Sequence, residues 1–297
     1  MSLTTTGMKA VGRPRGGTDL GDISRALLLS MLDDRLISRL DALDRSNLNE
    51  FGVDPFGFNP ETAKVCVGPA WWLYKHYFRV QQRGADKIPD GRVLLVANHG
   101  GQLPLDGAMV IMSVLAERPV PRIARAMVER WAGDLPWVGT LFARCGQIIG
   151  EPDSCRRLLN ADECVLVFPE GAKGISKLWN QRYHLQDFGL GFMRLALETR
   201  TPVVPVAIVG HEEQAVAFAN LKGVARALRM PAFPVTATVL PIPLPARYYI
   251  EFGDPMHFEG DPNDEDEVIG EKVAQVKSTM QRMIQEGLQR RGRRVFL

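Results

Sequence analysis

Two short apolar runs, each ending abruptly in a polar motif, constrain this chain more than any other feature. Val93-Leu94-Leu95-Val96-Ala97 leads into Asn98-His99, and Cys164-Val165-Leu166-Val167 leads into Phe168-Pro169-Glu170-Gly171. Unbroken apolar runs of four or five residues fit strands buried on both faces, as in a parallel sheet covered by helices. In such a sheet the loops beyond the strand ends form the crevice where ligands bind. Both polar motifs fall on that edge.

The rest of the chain extends the pattern. Strands are expected at 93–97, 120–127, 146–150, 163–168, 203–209 and 246–252. Helices are expected at 106–117, 137–144, 153–160, 189–199 and 211–229. This alternation predicts an α/β fold, with a mostly parallel central sheet flanked by helices. The stretch Pro231 to Pro245 holds five prolines and reads as an extended surface connection. A terminal helix is expected from Val268 to Arg291.

Four regions follow: a disordered leader (1–18), an N-terminal helical region (19–82), the α/β domain (83–260), and a C-terminal helix with a basic tail (261–297). In the second region Ile23, Leu27, Leu28, Met31, Leu32, Leu36 and Leu40 recur at helical spacing, predicting an amphipathic helix from Asp22 to about Arg45. A second helix spans Pro60 to about Val80 and carries the aromatic segment Trp71 to Phe78. That segment either caps the core or anchors in a lipid interface through Trp71, Trp72 and Tyr74, and one face can do both. Arg290, Arg291, Arg293 and Arg294 form either a solvated tail or a contact with anionic lipid.

A net charge of +2 is too mild to argue for nucleic acid. No apolar run approaches the roughly 18 residues that cross a bilayer, and the N-terminus lacks the apolar core of a secretory signal. The four cysteines show no metal-ligand spacing and read as reduced thiols. A cytoplasmic protein, peripheral on the membrane face, is expected.

The chemistry concentrates at His99 and Asp106. Asp106 stands where a helix begins, so it is either an N-cap or the partner of His99. The loop Gly100 to Pro104 lets the chain turn back and bring the carboxylate to the imidazole. A carboxylate on one ring nitrogen leaves the other free as a base for a hydroxyl proton. The loop Phe168 to Gly174 lacks Walker spacing, which excludes an NTPase. Its glycines offer backbone amides, Lys173 adds charge, and Glu170 either clamps the loop or contacts a ligand. Residues 180–188 form a surface loop or line a pocket, with Arg182 as the anion contact. No Gly-x-Ser-x-Gly elbow is present.

Together these blocks resemble the phospholipid/glycerol acyltransferase family, which includes lysophosphatidic acid and glycerol-3-phosphate acyltransferases. Four blocks occur in family order: Asn98-His99…Asp106, Pro136-Trp137-Val138-Gly139 through Ile149, Phe168-Pro169-Glu170-Gly171, and Val204-Pro205-Val206-Ala207-Ile208. The resemblance implies direct transfer of a fatty acyl group from acyl-CoA or acyl-carrier protein to a glycerolipid-type hydroxyl. His99 is the implied base and Asp106 its orienting partner. The implied substrate contacts are Asn98, Phe168, Pro169, Glu170, Gly171 and Lys173, and the fourth block is implied to shape the acyl site. No metal and no cofactor is expected.

Two departures from the family stand out. Six residues separate His99 from Asp106 where the family has four, so the loop must bulge. Pro152 replaces an arginine that binds the acceptor phosphate, leaving Lys173, Arg182 or Arg125 as substitutes. Thioester hydrolysis and non-catalytic lipid binding are the alternative readings.

Overall fold

The computed structural model describes residues 26–128, 138–221, 223, 234–236 and 242–296. The expected leader, the start of the first helix, Pro136-Trp137 and residues 224–229 lie outside the described residues. The elements are, in order, α1 (Asp34–Asp41), α2 (Pro60–Trp72), a π-helical turn (Leu73–Tyr77), β1 (Gln81–Arg83), β2 (Val93–Ala97), α3 (Leu105–Glu117), β3 (Ala124–Val128) and α4 (Val138–Arg144). There follow β4 (Ile148–Ile149), α5 (Pro152–Asn160), β5 (Cys164–Val167), α6 (Gly171–Ile175), α7 (Gly191–Thr199), β6 (Val203–Val209), β7 (Ala217–Asn220), β8 (Pro234–Thr236), β9 (Tyr249–Phe252) and α8 (Asp266–Arg291).

Among the described residues seven strands form one sheet in the order β1-β9-β6-β2-β5-β3-β4. β6, β2, β5, β3 and β4 run parallel, while β9 pairs antiparallel with β6 and carries β1 parallel beside it. The mostly parallel α/β sheet flanked by helices is as expected.

The unbroken apolar run of β2 explains its central place. All five side chains are fully buried, each such Val or Leu contributing about 1.5–3 kcal/mol. Alternate residues serve opposite layers. Val93, Leu95 and Ala97 join a cluster with Met109 and Leu115 of α3, Leu36 and Leu40 of α1, and Trp71 of α2. Leu94 and Val96 face Leu158 of α5, Met193 of α7 and Met280 of α8. The N-terminal helices thus share the core of the sheet.

Two of the expected helices are corrected by the structure. The single helix expected to reach Arg45 is broken: residues 26–29 are helical, then Asp33 accepts the amide of Leu36 at 2.9 Å and caps α1 afresh. Over 211–220 the expected helix gives way to a short 3-10 turn (His211–Glu213) and strand β7. Gly210 at φ +106° turns the chain there, with no room for a Cβ against the carbonyl of Arg247. The proline-rich connection contains β8, which pairs antiparallel with β7.

Candidate active site

The site is built on the loops that leave β2, β5 and β6. Asn98, fully buried at the end of β2, donates from Nδ2 to the carbonyl of Ile208 (3.0 Å) and accepts its amide at Oδ1 (2.7 Å). Both polar ends of Asn98 are therefore committed to β6. This corrects its expected role as a substrate contact: it fastens the two strands beside the site.

His99 comes next. Its Nδ1 lies 2.6 Å from Oδ2 of Asp106. Asp106 is fully buried in the first turn of α3, where the N-cap position belongs to Pro104. Its carboxylate also accepts the amides of Gly100 (3.1 Å) and Gly107 (2.8 Å). Burial pushes the Asp106 carboxyl up, but the adjacent His99, together with His211 and the Gly100 amide, outweighs it and holds the carboxyl below its ordinary value. The ionised carboxylate assigns the proton to Nδ1 and leaves the lone pair on Nε2. Nε2 has no hydrogen-bond partner among the described residues, and the side chain keeps 12% of its surface exposed. The ring stacks on Phe168 with centroids 4.3 Å apart.

The extra residues between His99 and Asp106 are absorbed by a tight bulge. Gly101 and Gln102 both take left-handed backbone angles, φ +76° and +61°. A Cβ at position 101 would sit 2.2 Å from the carbonyl of His211, so glycine is required there. Gln214 secures the bulge by donating from Nε2 to the carbonyls of Gly101 and Leu103, each at 2.9 Å.

The loop after β5 supports His99 from below. Glu170 Oε1 accepts the backbone amide of His99 (2.9 Å), and Oε2 accepts that of Gln186 (2.8 Å). Lys177, buried, lies 3.3 Å from Glu170 and 2.8 Å from Glu212. Glu170 is thus a clamp with both oxygens engaged, which corrects its expected substrate role. Gly171 spends its amide on the carbonyl of Phe168 (2.9 Å) and offers none to a ligand. Pro169 is half-buried, its carbonyl taken by Gly189 (3.0 Å). Gly174 serves close packing: a Cβ there would come within 2.9 Å of the His99 Cβ.

Three residues behind this wall escaped sequence reasoning. His211 is fully buried with Nε2 3.4 Å from Asn98 Nδ2 and 3.6 Å from Glu212; burial pushes its pKa down to about 3. Glu212 is pushed up to about 7, again by burial, which Lys177 partly offsets. Glu213 meets the Tyr183 hydroxyl and Arg291. Apart from the adjacent His211–Glu212 pair, their partners lie 29 to 113 positions away, beyond any local spacing. The consecutive acids Glu212-Glu213 after an apolar run were the one available signal.

Of the cations considered as anion contacts, Arg125 is buried between Asp54 (2.5 Å) and Glu163 (2.9 Å) and is not free. Arg182 lies over the ring of Trp179 at 4.2 Å and donates to its carbonyl (3.0 Å). Lys173 is exposed. Trp71 and Tyr74 stack on each other, each 4% exposed, which removes them as membrane contacts; Trp72 remains 45% exposed. No helix among the described residues is long and apolar enough to cross a membrane. The fourth block is β6, fully buried in mid-sheet, so it packs the core. The second block, through residues 139 to 149, lines a cavity of ≈ 700 Å³ with Phe56, Phe142 and Ile148. No group of three or more His, Cys, Asp or Glu among the described residues is placed to hold a metal.

An acyltransferase family model matches residues 79–209. An uncharacterized protein of Mycobacterium leprae is 35% identical over 285 residues, covering 92% of this chain and 77% of its own. An uncharacterized protein of Mycobacterium tuberculosis is 36% identical over 247 residues, covering 79% and 69%. The crystal structure of the 1-acyl-sn-glycerophosphate (LPA) acyltransferase PlsC from Thermotoga maritima matches the fold with a TM-score of 0.50 and 18% identity, over 90% of this chain and 88% of that one.

Proposed function

The chain belongs to the phospholipid/glycerol acyltransferase family, and from that premise we propose that it moves a fatty acyl group from acyl-CoA or acyl-carrier protein to a glycerolipid-type hydroxyl. The observation that carries the proposal is the 2.6 Å contact between His99 Nδ1 and a buried, ionised Asp106, with Nε2 left unpartnered.

Nε2 takes the acceptor's hydroxyl proton as the oxygen attacks the thioester carbonyl. The resulting imidazolium sits against the Asp106 carboxylate, which stabilises it and fixes its orientation. The tetrahedral intermediate then expels the thiolate, and the proton on Nε2 neutralises the leaving sulfur. One hydroxyl proton is moved, one C–O bond forms and one C–S bond breaks. The stacked ring of Phe168 and the clamp of Glu170 on the His99 amide limit the movement of the base.

The cavity lined by the second block has the size and apolar character of a ligand pocket, and we assign it to the acyl chain. The N-terminal helical region exposes Leu27, Met31, Ile37 and Trp72, and we assign these side chains to contact with the cytoplasmic membrane surface. Lys173 and Arg182 are the remaining candidates for an acceptor's anionic group. The test is to incubate purified protein with radiolabelled acyl-CoA and a panel of lyso-phospholipids, monoacylglycerols and diacylglycerols, measuring CoA release and lipid product together. Acceptor-dependent release with matching acylated product supports transfer. Equal release without any acceptor points instead to hydrolysis.

A further inference from the structure

Away from His99, the last turn of α8 crosses the β1–β9 edge of the sheet and encloses a cavity of ≈ 250 Å³. Five arginines line it: Arg83 of β1, Arg247 ahead of β9, Arg290 and Arg291 of α8, and Arg294 beyond its end. Glu251 is the sole acid among the described lining residues, and it is matched by Arg290 at 2.7 Å. Arg291 is matched by Glu213 at 2.6 Å. Arg83, Arg247 and Arg294 have no acidic partner among the described residues.

Two further observations mark this as more than a basic surface. The Arg291 side chain is 9% exposed, and its Nε is buried without a hydrogen-bond partner. The Nε of Arg247 is buried and unpartnered as well. A buried donor left unpaired is costly, and acceptor oxygens of a ligand in the cavity would satisfy both of these Nε groups. Neither His99 nor Asp106 lines this cavity, so it is separate from the acyl-transfer site.

We propose that this cavity binds a phosphate group. A phosphate offers acceptor oxygens in several directions, matching guanidinium groups that converge from a strand, a loop and a helix end, and guanidinium forks suit it better than point charges do. The phosphate is carried either by a soluble compound or by a lipid headgroup.

The test uses the full chain and an Arg83→Gln/Arg247→Gln double variant, which removes two charges without breaking any ion pair. Inorganic phosphate is titrated by calorimetry, and flotation is measured on phosphatidylcholine vesicles with and without phosphatidate. An Arg45→Gln/Lys64→Gln variant serves as a charge-matched control, and circular dichroism checks the fold of each. The expected result is phosphate affinity weakened at least about tenfold in the double variant and unchanged in the control. Loss of phosphatidate-dependent flotation in the double variant identifies a lipid source; unchanged flotation with weakened titration identifies a soluble one. No phosphate binding by the unsubstituted protein, or equal weakening in both variants, overturns the proposal.

Discussion

The carboxylate of Glu170 accepts the backbone amide of His99 at 2.9 Å, joining the loops that leave β5 and β2. Behind it Lys177 sits between Glu170 and Glu212, all three buried. The position of His99 therefore depends on a network almost wholly shielded from solvent.

Removing the cation of that network should be costly. Lys177→Met leaves two buried carboxylates facing each other, and loss of one partner in such a setting costs about 3–5 kcal/mol. Urea unfolding is expected to show this, and adding Glu212→Gln should restore part of it. A Lys177→Met protein as stable as the parent would refute the network.

Gly174→Ala tests the packing beneath the base. The new Cβ would lie 2.7 Å from the Glu170 Cβ and 2.9 Å from the His99 Cβ. Overpacking of this kind costs about 1–3 kcal/mol. Because the displaced residue is His99, turnover should fall by more than the folded fraction explains. Stability and turnover measured on the same sample check this.

Asp106→Asn keeps the shape but removes the charge that holds the proton on Nδ1. Turnover should fall by about 10²–10⁴ while acceptor KM changes little. A full-rate Asp106→Asn enzyme would remove Asp106 from the mechanism.

Stability should depend on pH through His211 and Glu212, in opposite senses. His211 is held near 3 in the fold and titrates near 6.5 when unfolded, so the unfolded chain binds the extra proton between these values. Stability from this group is complete above pH 6.5 and falls as pH drops toward 3, by an amount on the order of a few kcal/mol. Glu212 is raised to about 7 from 4.5, so the folded chain holds the extra proton and stability falls as pH rises through that window. His211→Gln should flatten the acid side of a denaturation profile, and Glu212→Gln should remove the decline between about 4.5 and 7. Unchanged profiles would contradict the burial of these side chains.

The sheet was legible because its central strands have no competing reading. Both 93–97 and 203–209 are apolar throughout, and the structure places strands over those same residues. The approach of His99 and Asp106 was legible from the glycines between them, despite the longer spacing. Residues 211–220 misled because Glu212, Glu213, Gln214 and Ala215 favour a helix in isolation. Their carboxylates and amide instead bond to Tyr183, Lys177 and the Gly101 bulge, contacts that bring distant segments together. Trp71 and Trp72 show the same limit: adjacent in sequence, one is buried in the core and the other faces out, and composition cannot separate them.

The most direct measurement is the rate of acyl-lipid formation by His99→Ala against the unsubstituted protein, with thermal midpoints compared in parallel. The account predicts a rate lowered at least about 10²-fold with the fold retained. A folded His99→Ala protein that transfers acyl groups at the parental rate would contradict it.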